Sequence, residues 1–438
     1  MRLVDYFRLG WANIVAHKKR AAIVVVIVGV MFGVLIAGSL LIQGVENTAL
    51  DMMTRSTDGK VLVRSVAQQY SFCKDVACDL EADKAELRQR VTDYGGKVIE
   101  VKMLGQDYVL DADLVQGAIE TELSKAPADA TPVLAPLSTL SNWLQISMSE
   151  RAAAEVKVRT AQQIREQAVG QVITVMGGKK YWVAGILPGS FGGTSTLALS
   201  SLGRKNPLDI LLSNVELGGS AVLIIDDGDL RAETVITDEI WATFDTVKQA
   251  ERYIAEIADD NCNVLDVQAK RCPRMKQYEA ATVISSPVMT YRNFEGVWLV
   301  FKILAIALAV IGSIVSLSTY TRLVGKDTKV IALYHAMGAT KRQVVGVYVA
   351  YLLGLSLLAS LFSLALGVGL VLIANLLSAT GLMQVFTLGF GVAETRVWLF
   401  GWNNWIMVFV GLLLVVAPVC VVLNLYQFSS KKLAQKIK

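Results

Sequence analysis

Apolar runs long enough to cross a bilayer occur four times along this chain, once near the start and three times near the end. They are Ala21–Ile42, Val297–Tyr320, Val344–Asn375 and Trp405–Tyr426. As helices, each reaches across a hydrocarbon core of roughly 30 Å. Lys302 is the one fixed charge inside them, close enough to its helix start to snorkel to the interface. Buried helices of a soluble protein would be the alternative, but four such runs and a mean hydropathy of +0.48 oppose it. The pattern predicts an α-helical membrane protein with four transmembrane helices in 1+3 order and a large α+β domain between the first and second. Its segments are an amphipathic N-terminal helix (1–20), span one with a stalk (21–43) and the insert (44–296). Then come span two (297–320), a loop (321–343), span three (344–375), a short loop (376–404), span four (405–426) and a tail (427–438).

Inside the insert the period changes. Val61–Ser65 alternates like a strand, Leu80–Tyr94 reads as a helix and Lys97–Met103 as a strand. A helical pattern opens at Ser141-Asn142, runs on through Glu150–Gln167 and ends at Gly170. Val172–Val175 and Tyr181–Ile186 form a hairpin about Gly177-Gly178, which supply the positive φ of a tight turn. Phe191–Arg204 is a Gly/Ser/Thr-rich loop and Ala221–Ile225 a short buried strand. Glu239–Phe244 is another strand, followed by an amphipathic helix over Thr246–Ile257 with Val247, Ala250, Tyr253, Ile254 and Ile257 on one face.

Charge sets the orientation. The net charge of +4 hides an insert, Gly44–Gly296, with 26 basic and 35 acidic residues, and a remainder with 16 basic and three acidic ones. Arg2, Arg8, Lys18, Lys19 and Arg20 precede span one; Arg322, Lys326, Lys329, Lys341 and Arg342 lie between spans two and three; Lys431, Lys432, Lys436 and Lys438 end the chain. The loop between spans three and four has Arg396 alone. The positive-inside rule then places both termini and the 321–343 loop in the cytoplasm and the insert outside. The basic balance reports topology, not nucleic-acid binding. Span one has a basic start but a core longer than a signal peptide's, and is read as a retained anchor.

Cys73, Cys78, Cys262 and Cys272 lie in the insert and Cys420 in span four. An even number on an oxidising side suits two disulfides, with three connectivities open. Cys73–Cys78 and Cys262–Cys272 are the pair of clips closest in sequence; four free thiols are the alternative.

Catalytic and metal signatures are missing. The only histidines, His17 and His335, lie outside the insert, which excludes Ser-His-Asp chemistry and a His-based zinc site there. No phosphate loop occurs, since Gly177-Gly178-Lys179-Lys180 is a turn between strands. The acidic turn Asp226-Asp227-Gly228-Asp229 lacks the later ligands of a calcium loop. A non-catalytic chain without its own cofactor is expected.

Between spans two and three, Val330, Leu333, Tyr334 and Met337 form a helical stripe, Gly338 fits a helix C-cap and Thr340 can cap the next helix. Such a helix serves as an interfacial anchor or as a docking element for a soluble partner. Here the chain resembles a family. Leu333, Tyr334, His335, Ala336, Met337, Gly338, Ala339, Thr340, Lys341 and Arg342 resemble the alanine-hydrophobe-glycine-alanine-threonine stretch of MacB/FtsX-type ABC transporter permeases. The lead into span one, with Trp11, Asn13, Lys18, Lys19 and Arg20, is similar to that family's membrane-interface helix. So are the Gly170–Pro188 hairpin and the 1+3 order. The chain departs at Thr328-Lys329-Val330-Ile331, where the family shows arginine-glutamate-isoleucine, and at His335, where it has a basic residue. Four spans and a long insert look closer to MacB-like and DevC-like exporters than to FtsX proper.

The resemblance implies a permease subunit in a bacterial cytoplasmic membrane, driven by a separate ATP-binding subunit that carries ATP and Mg. It implies two permease copies, with an adaptor or membrane fusion protein as a further candidate partner. ATP-driven movement of the external domains (mechanotransmission) would act on a substrate outside the membrane. The alternative is an FtsX-like regulator that activates an external cell-wall hydrolase without transporting anything. Ala359, Ser363 and Gly367 recur at four-residue spacing, a helix-packing face and candidate seam with the second copy.

Overall fold

The computed structural model describes residues 3–67, 80–104, 107–146, 154–175, 177–187, 222–226, 234–260, 278–284, 287–326, 328–378 and 399–427. The chain divides into two compact units. One holds Met1–Val45, Val297–Leu377 and the chain from Trp398; the other holds Glu46–Gly296.

The first unit is helical. It draws on α1 (Leu3–Ala16), α2 (Lys18–Thr54), α7 (Pro287–Lys326), α8 (Thr328–Ala336), α9 (Lys341–Ser378) and α10 (Trp405–Gln427). Helices α2, α7 and α9 are long and apolar enough to cross a membrane. In α10, 23 residues long, the described apolar run is Trp405–Val415. The predicted lead-in helix is separated from α2 at His17, whose carbonyl accepts from the amides of Arg20 and Ala21 and so starts the next helix. Val28, Phe32, Ile36 and Leu40 of α2 and Leu352, Leu355 and Ala359 of α9 are buried in its core.

At one end of this unit the non-helical segment 399–404 is tied by polar groups. The Asn375 side chain accepts from the Leu399 amide at 2.7 Å and donates to the Leu399 carbonyl at 2.9 Å. Gly401 N–H donates to the Leu40 carbonyl, and the Asn403 amide to the Ser39 carbonyl at 2.9 Å. These partners satisfy backbone groups that an irregular stretch leaves without helical hydrogen bonds.

The second unit contains two sheets. The four-stranded one has order β11-β1-β10-β2, all antiparallel, from β1 (Val61–Ala67), β2 (Lys97–Ile99), β10 (Ile240–Phe244) and β11 (Tyr278–Thr282). The seven-stranded one has order β6-β7-β5-β8-β4-β3-β9. Its strands are β3 (Lys102–Leu104), β4 (Asp107–Asp111), β5 (Thr131–Pro136), β6 (Val172–Thr174), β7 (Lys180–Leu187), β8 (Leu223–Asp226) and β9 (Val235–Ile236). It is mixed, with β5–β7 and β4–β8 parallel. Side-chain alternation stacks the layers. Val61, Val63, Ile240, Ala242 and Phe244 face α3 (Leu80–Asp93) and α6 (Val247–Asp259). Leu62 and Trp241 point the other way and share a core with Trp182, Leu223 and Ile225 of the larger sheet. The far face of that sheet is covered by α4 (Leu137–Trp143) and α5 (Ala154–Ala168) through Leu140, Ala161, Ile164 and Ala168.

Between the sheets lies a polar knot: Arg64 Nη1 donates to Tyr108 Oη at 2.8 Å, and Tyr108 Oη and Trp241 Nε1 donate to Glu239 at 3.0 and 3.1 Å. Burial pushes the Tyr108 phenol up from its ordinary pKa. It pushes Tyr253, hydrogen-bonded to Ser65 at 2.7 Å, up to about 12.

Two predicted elements are corrected. Lys97–Met103 is not one strand: β2 and β3 belong to different sheets, with Val101 buried at the crossing. The helix predicted from Ser141 through Gln167 is two. Helix α4 starts earlier and stops where Gln145 takes φ +53° and the Ile146 amide returns to the Ser141 carbonyl; α5 begins at Ala154. The Gly177-Gly178 turn has the expected positive φ values, 98° and 78°. Cys73, Cys78, Cys262, Cys272 and the Phe191–Arg204 loop lie outside the described residues, as does most of the acidic turn after Asp226.

Candidate functional site

The corner between α7 and α9 is built by short-range rules. Helix α8 ends because Gly338 adopts φ +86°, which costs other residues strain but glycine nothing. The Met337 amide donates to the Leu333 carbonyl and the Ala339 amide to the Tyr334 carbonyl, both at 3.0 Å, closing the helix end. Two residues on, the Gln343 side chain accepts from the Thr340 amide at 2.9 Å, while the Thr340 carbonyl accepts from the amides of Gln343 and Val344. Gln343 thus supplies the reciprocal half of a capping box. Its role was readable from the Thr-x-x-Gln spacing, and the sequence reading missed it.

This corner sorts the predicted stripe into two faces. Ile331 is buried, and Tyr334 and Ala339 pack partly buried against the helical core. Leu333 (60% exposed), Met337 (66%) and Val330 (36%) point outward. Ala336, Gly338, Thr340 and Arg342 are exposed beside them. His335 and Lys341 hold backbone positions within α8 and at the first residue of α9. The result is a small apolar ridge on a doubly capped turn, with Arg342 at its rim. Exposed apolar side chains on such a turn suit docking. Among the described residues no group of three or more His, Cys, Asp or Glu could hold a metal ion.

Residues 302–427 match the FtsX-like permease C-terminal domain. The FtsX-like segment begins within α7, encloses the whole corner and ends with α10. It supports a permease of the FtsX/MacB kind, in a family that works with an ABC ATPase subunit. No curated protein matches the chain.

The other predicted residues fall elsewhere. Trp11 is exposed and Asn13 half-buried on α1, and Lys18, Lys19 and Arg20 are exposed at the start of α2. Ala359 and Ser363 are fully buried, and a Cβ on Gly367 would lie 2.7 Å from Ile36 Cγ2 and 3.1 Å from the Gly33 carbonyl. A Cβ on Gly33 would in turn meet the Ser363 carbonyl at 3.2 Å. This small-residue face is therefore filled by α2 of the same chain. As a seam with a second copy it is already occupied, because sequence spacing identifies a packing face but not the helix that uses it.

Proposed function

We propose that this chain is the permease subunit of an ABC exporter, with ATP and Mg handled by a separate ATP-binding subunit. The observation that carries the reading is the exposed Leu333–Met337 ridge on a rigid, doubly capped corner inside the FtsX-like segment. Exposed apolar side chains on a fixed backbone suit a groove on a soluble partner. In this reading four helices cross the membrane in 1+3 order and the basic flanks face the cytoplasm of a bacterial inner membrane. Two copies pair with two ATPases. Helices α2 and α7 continue unbroken past the ends of the apolar runs, to Thr54 and from Pro287, which suits transmission of ATP-driven movement to a substrate outside the membrane. The chain itself performs no catalysis.

The test is recovery of partners with the tagged chain from gently solubilised native membranes, native against Met337→Glu. An ATP-binding subunit that copurifies with the native chain and is lost with Met337→Glu supports the reading. Native chain recovered without any ATPase refutes it. An ATPase that copurifies together with a cell-wall hydrolase, and no cargo-dependent ATPase stimulation, would favour the FtsX-like regulator instead.

A further inference from the structure

Helices α2 and α7 both run from one compact unit into the other, crossing at Val45–Glu46 and at Gly296–Val297. Within the helical unit they are held in different ways. Helix α2 is gripped backbone to backbone. A Cβ on Gly401 would lie 2.5 Å from the Gln43 carbonyl carbon, and one on Gly44 2.6 Å from the Leu399 carbonyl carbon. The Leu40 and Ser39 carbonyls accept from the Gly401 amide at 3.1 Å and from the Asn403 side chain at 2.9 Å. Asn403 also caps α10, its Oδ1 accepting from the Trp405 amide at 3.0 Å. Asn375 of α9 holds both backbone groups of Leu399. Segment 399–404 is thus a clasp that joins α2 to α9 and α10 through main-chain atoms and two short amides. Six residues earlier in α2, Gly33 meets Gly367 of α9 in a second main-chain approach.

Helix α7 meets its neighbours through side chains. Phe301 lies over Gly38 and Phe32 over Gly312, each ring edge 3.1 Å from where a Cβ would stand. Tyr320 Oη and Ser356 Oγ, 2.9 Å apart, tie α7 to α9. A flat ring over a glycine offers no ridge for a groove to lock, so such a contact can slide. In the apolar stretch of α7 17% of residues are buried within the chain, against 50% in that of α2. Few buried contacts mark the element that moves at least cost.

We propose that α2 is a fixed post and α7 a sliding rod. The clasp holds α2 against α9 and α10, and α7 shifts past that block. Helix α8 begins two residues after α7 ends and leads through the corner to α9. A push on the exposed ridge is therefore taken up as sliding of α7 against the clasped helices. That use of the device rests on the ATPase reading; the unequal grip on the two helices does not.

The test places paired spin labels at Ile42 and Ile373, across α2 and α9, or at Val300 and Ile373, across α7 and α9. They enter as a spin-labelled amino acid, which leaves the native cysteines untouched. Labelled chain is diluted with unlabelled chain in nanodiscs, and distances are read by double electron–electron resonance. In the chain alone, the expected distribution is narrow for Ile42–Ile373 and broader for Val300–Ile373. Asn403→Ser still caps α10 but is too short to reach the Ser39 carbonyl. It is expected to broaden the first distribution and leave the second unchanged. Equal widths, a wider Ile42–Ile373 distribution, or no effect of Asn403→Ser overturns the proposal. With the ATP-binding subunit and ATP–vanadate, Val300–Ile373 is expected to shift by about 2–5 Å while Ile42–Ile373 stays in place. A shift of Ile42–Ile373 overturns the fixed post. The comparison in the chain alone needs no ATPase, so failure of the clasp and failure of the ATPase reading are told apart.

Discussion

Truncating the ridge at the α7–α9 corner, as Leu333→Ala/Met337→Ala, is expected to cut binding of the ATP-binding subunit while leaving the permease folded. Leu333 and Met337 each have about two-thirds of their side chain in water. Complete burial of such a side chain contributes about 1.5–3 kcal/mol, so the fraction still open to a partner is worth ~1–2 kcal/mol per residue. Together they carry about 2–4 kcal/mol, a weakening of ~30- to 700-fold. Because little of either side chain is buried within the chain, the melting temperature in detergent stays close to that of the native protein. Ile331, 5% exposed on the other face of α8, provides the contrast: Ile331→Ala removes core and costs ~2–5 kcal/mol of fold stability before it affects docking. The assay is titration of the detergent-solubilised chain with its ATPase by surface plasmon resonance, with thermal melts alongside. Native affinity in the double variant would refute the reasoning, as would a melting temperature that falls in step with affinity.

Gly338→Ala is expected to lower stability by about 1 kcal/mol through backbone strain alone. A Cβ there meets nothing within 4 Å, so Gly338→Asn, which tolerates the left-handed region, recovers part of the loss in a thermal melt. Tyr253 titrates near 12 when folded and near 10 when unfolded. Its raised pKa contributes stability present below pH 10 and lost as pH climbs towards 12, by up to ~2.7 kcal/mol. Tyr253→Phe flattens that alkaline limb in chemical denaturation between pH 9 and 12, and an unchanged limb would count against the burial argument. Asn375→Leu strips both backbone groups of Leu399 of their partner and is expected to cost ~2–4 kcal/mol, seen as a lower melting temperature in detergent.

Local signals were readable where one short rule decided the outcome. The Gly177-Gly178 hairpin and the Thr246-capped helix α6, whose Thr246 Oγ1 accepts from the Gln249 amide, follow from turn and cap chemistry. Strands β4, β5, β9 and β11 were missed for a different reason. β5 reads Thr-Pro-Val-Leu-Ala-Pro and is buried on both faces, so it shows no alternation, and it pairs in parallel with a strand some fifty residues on. The corner was legible in its caps but not in its facing. A stripe at helical spacing cannot reveal that Tyr334 turns to the core while Leu333 and Met337 face out. The same limit applies to Ala359, Ser363 and Gly367, where the partner helix is set by tertiary packing.

Both broad surfaces of the seven-stranded sheet are occupied, one by α4 and α5 and the other by the four-stranded sheet, whose own outer side carries α3 and α6. No open β-face is left among the described residues to cradle a bulky apolar ligand. Among the described residues, this unit leaves strand margins and the backs of helices open. The marginal strand β9, with Val235 and Ile236 exposed, is one such place. A surface of that kind reads the outline of a neighbouring macromolecule better than it encloses a small solute.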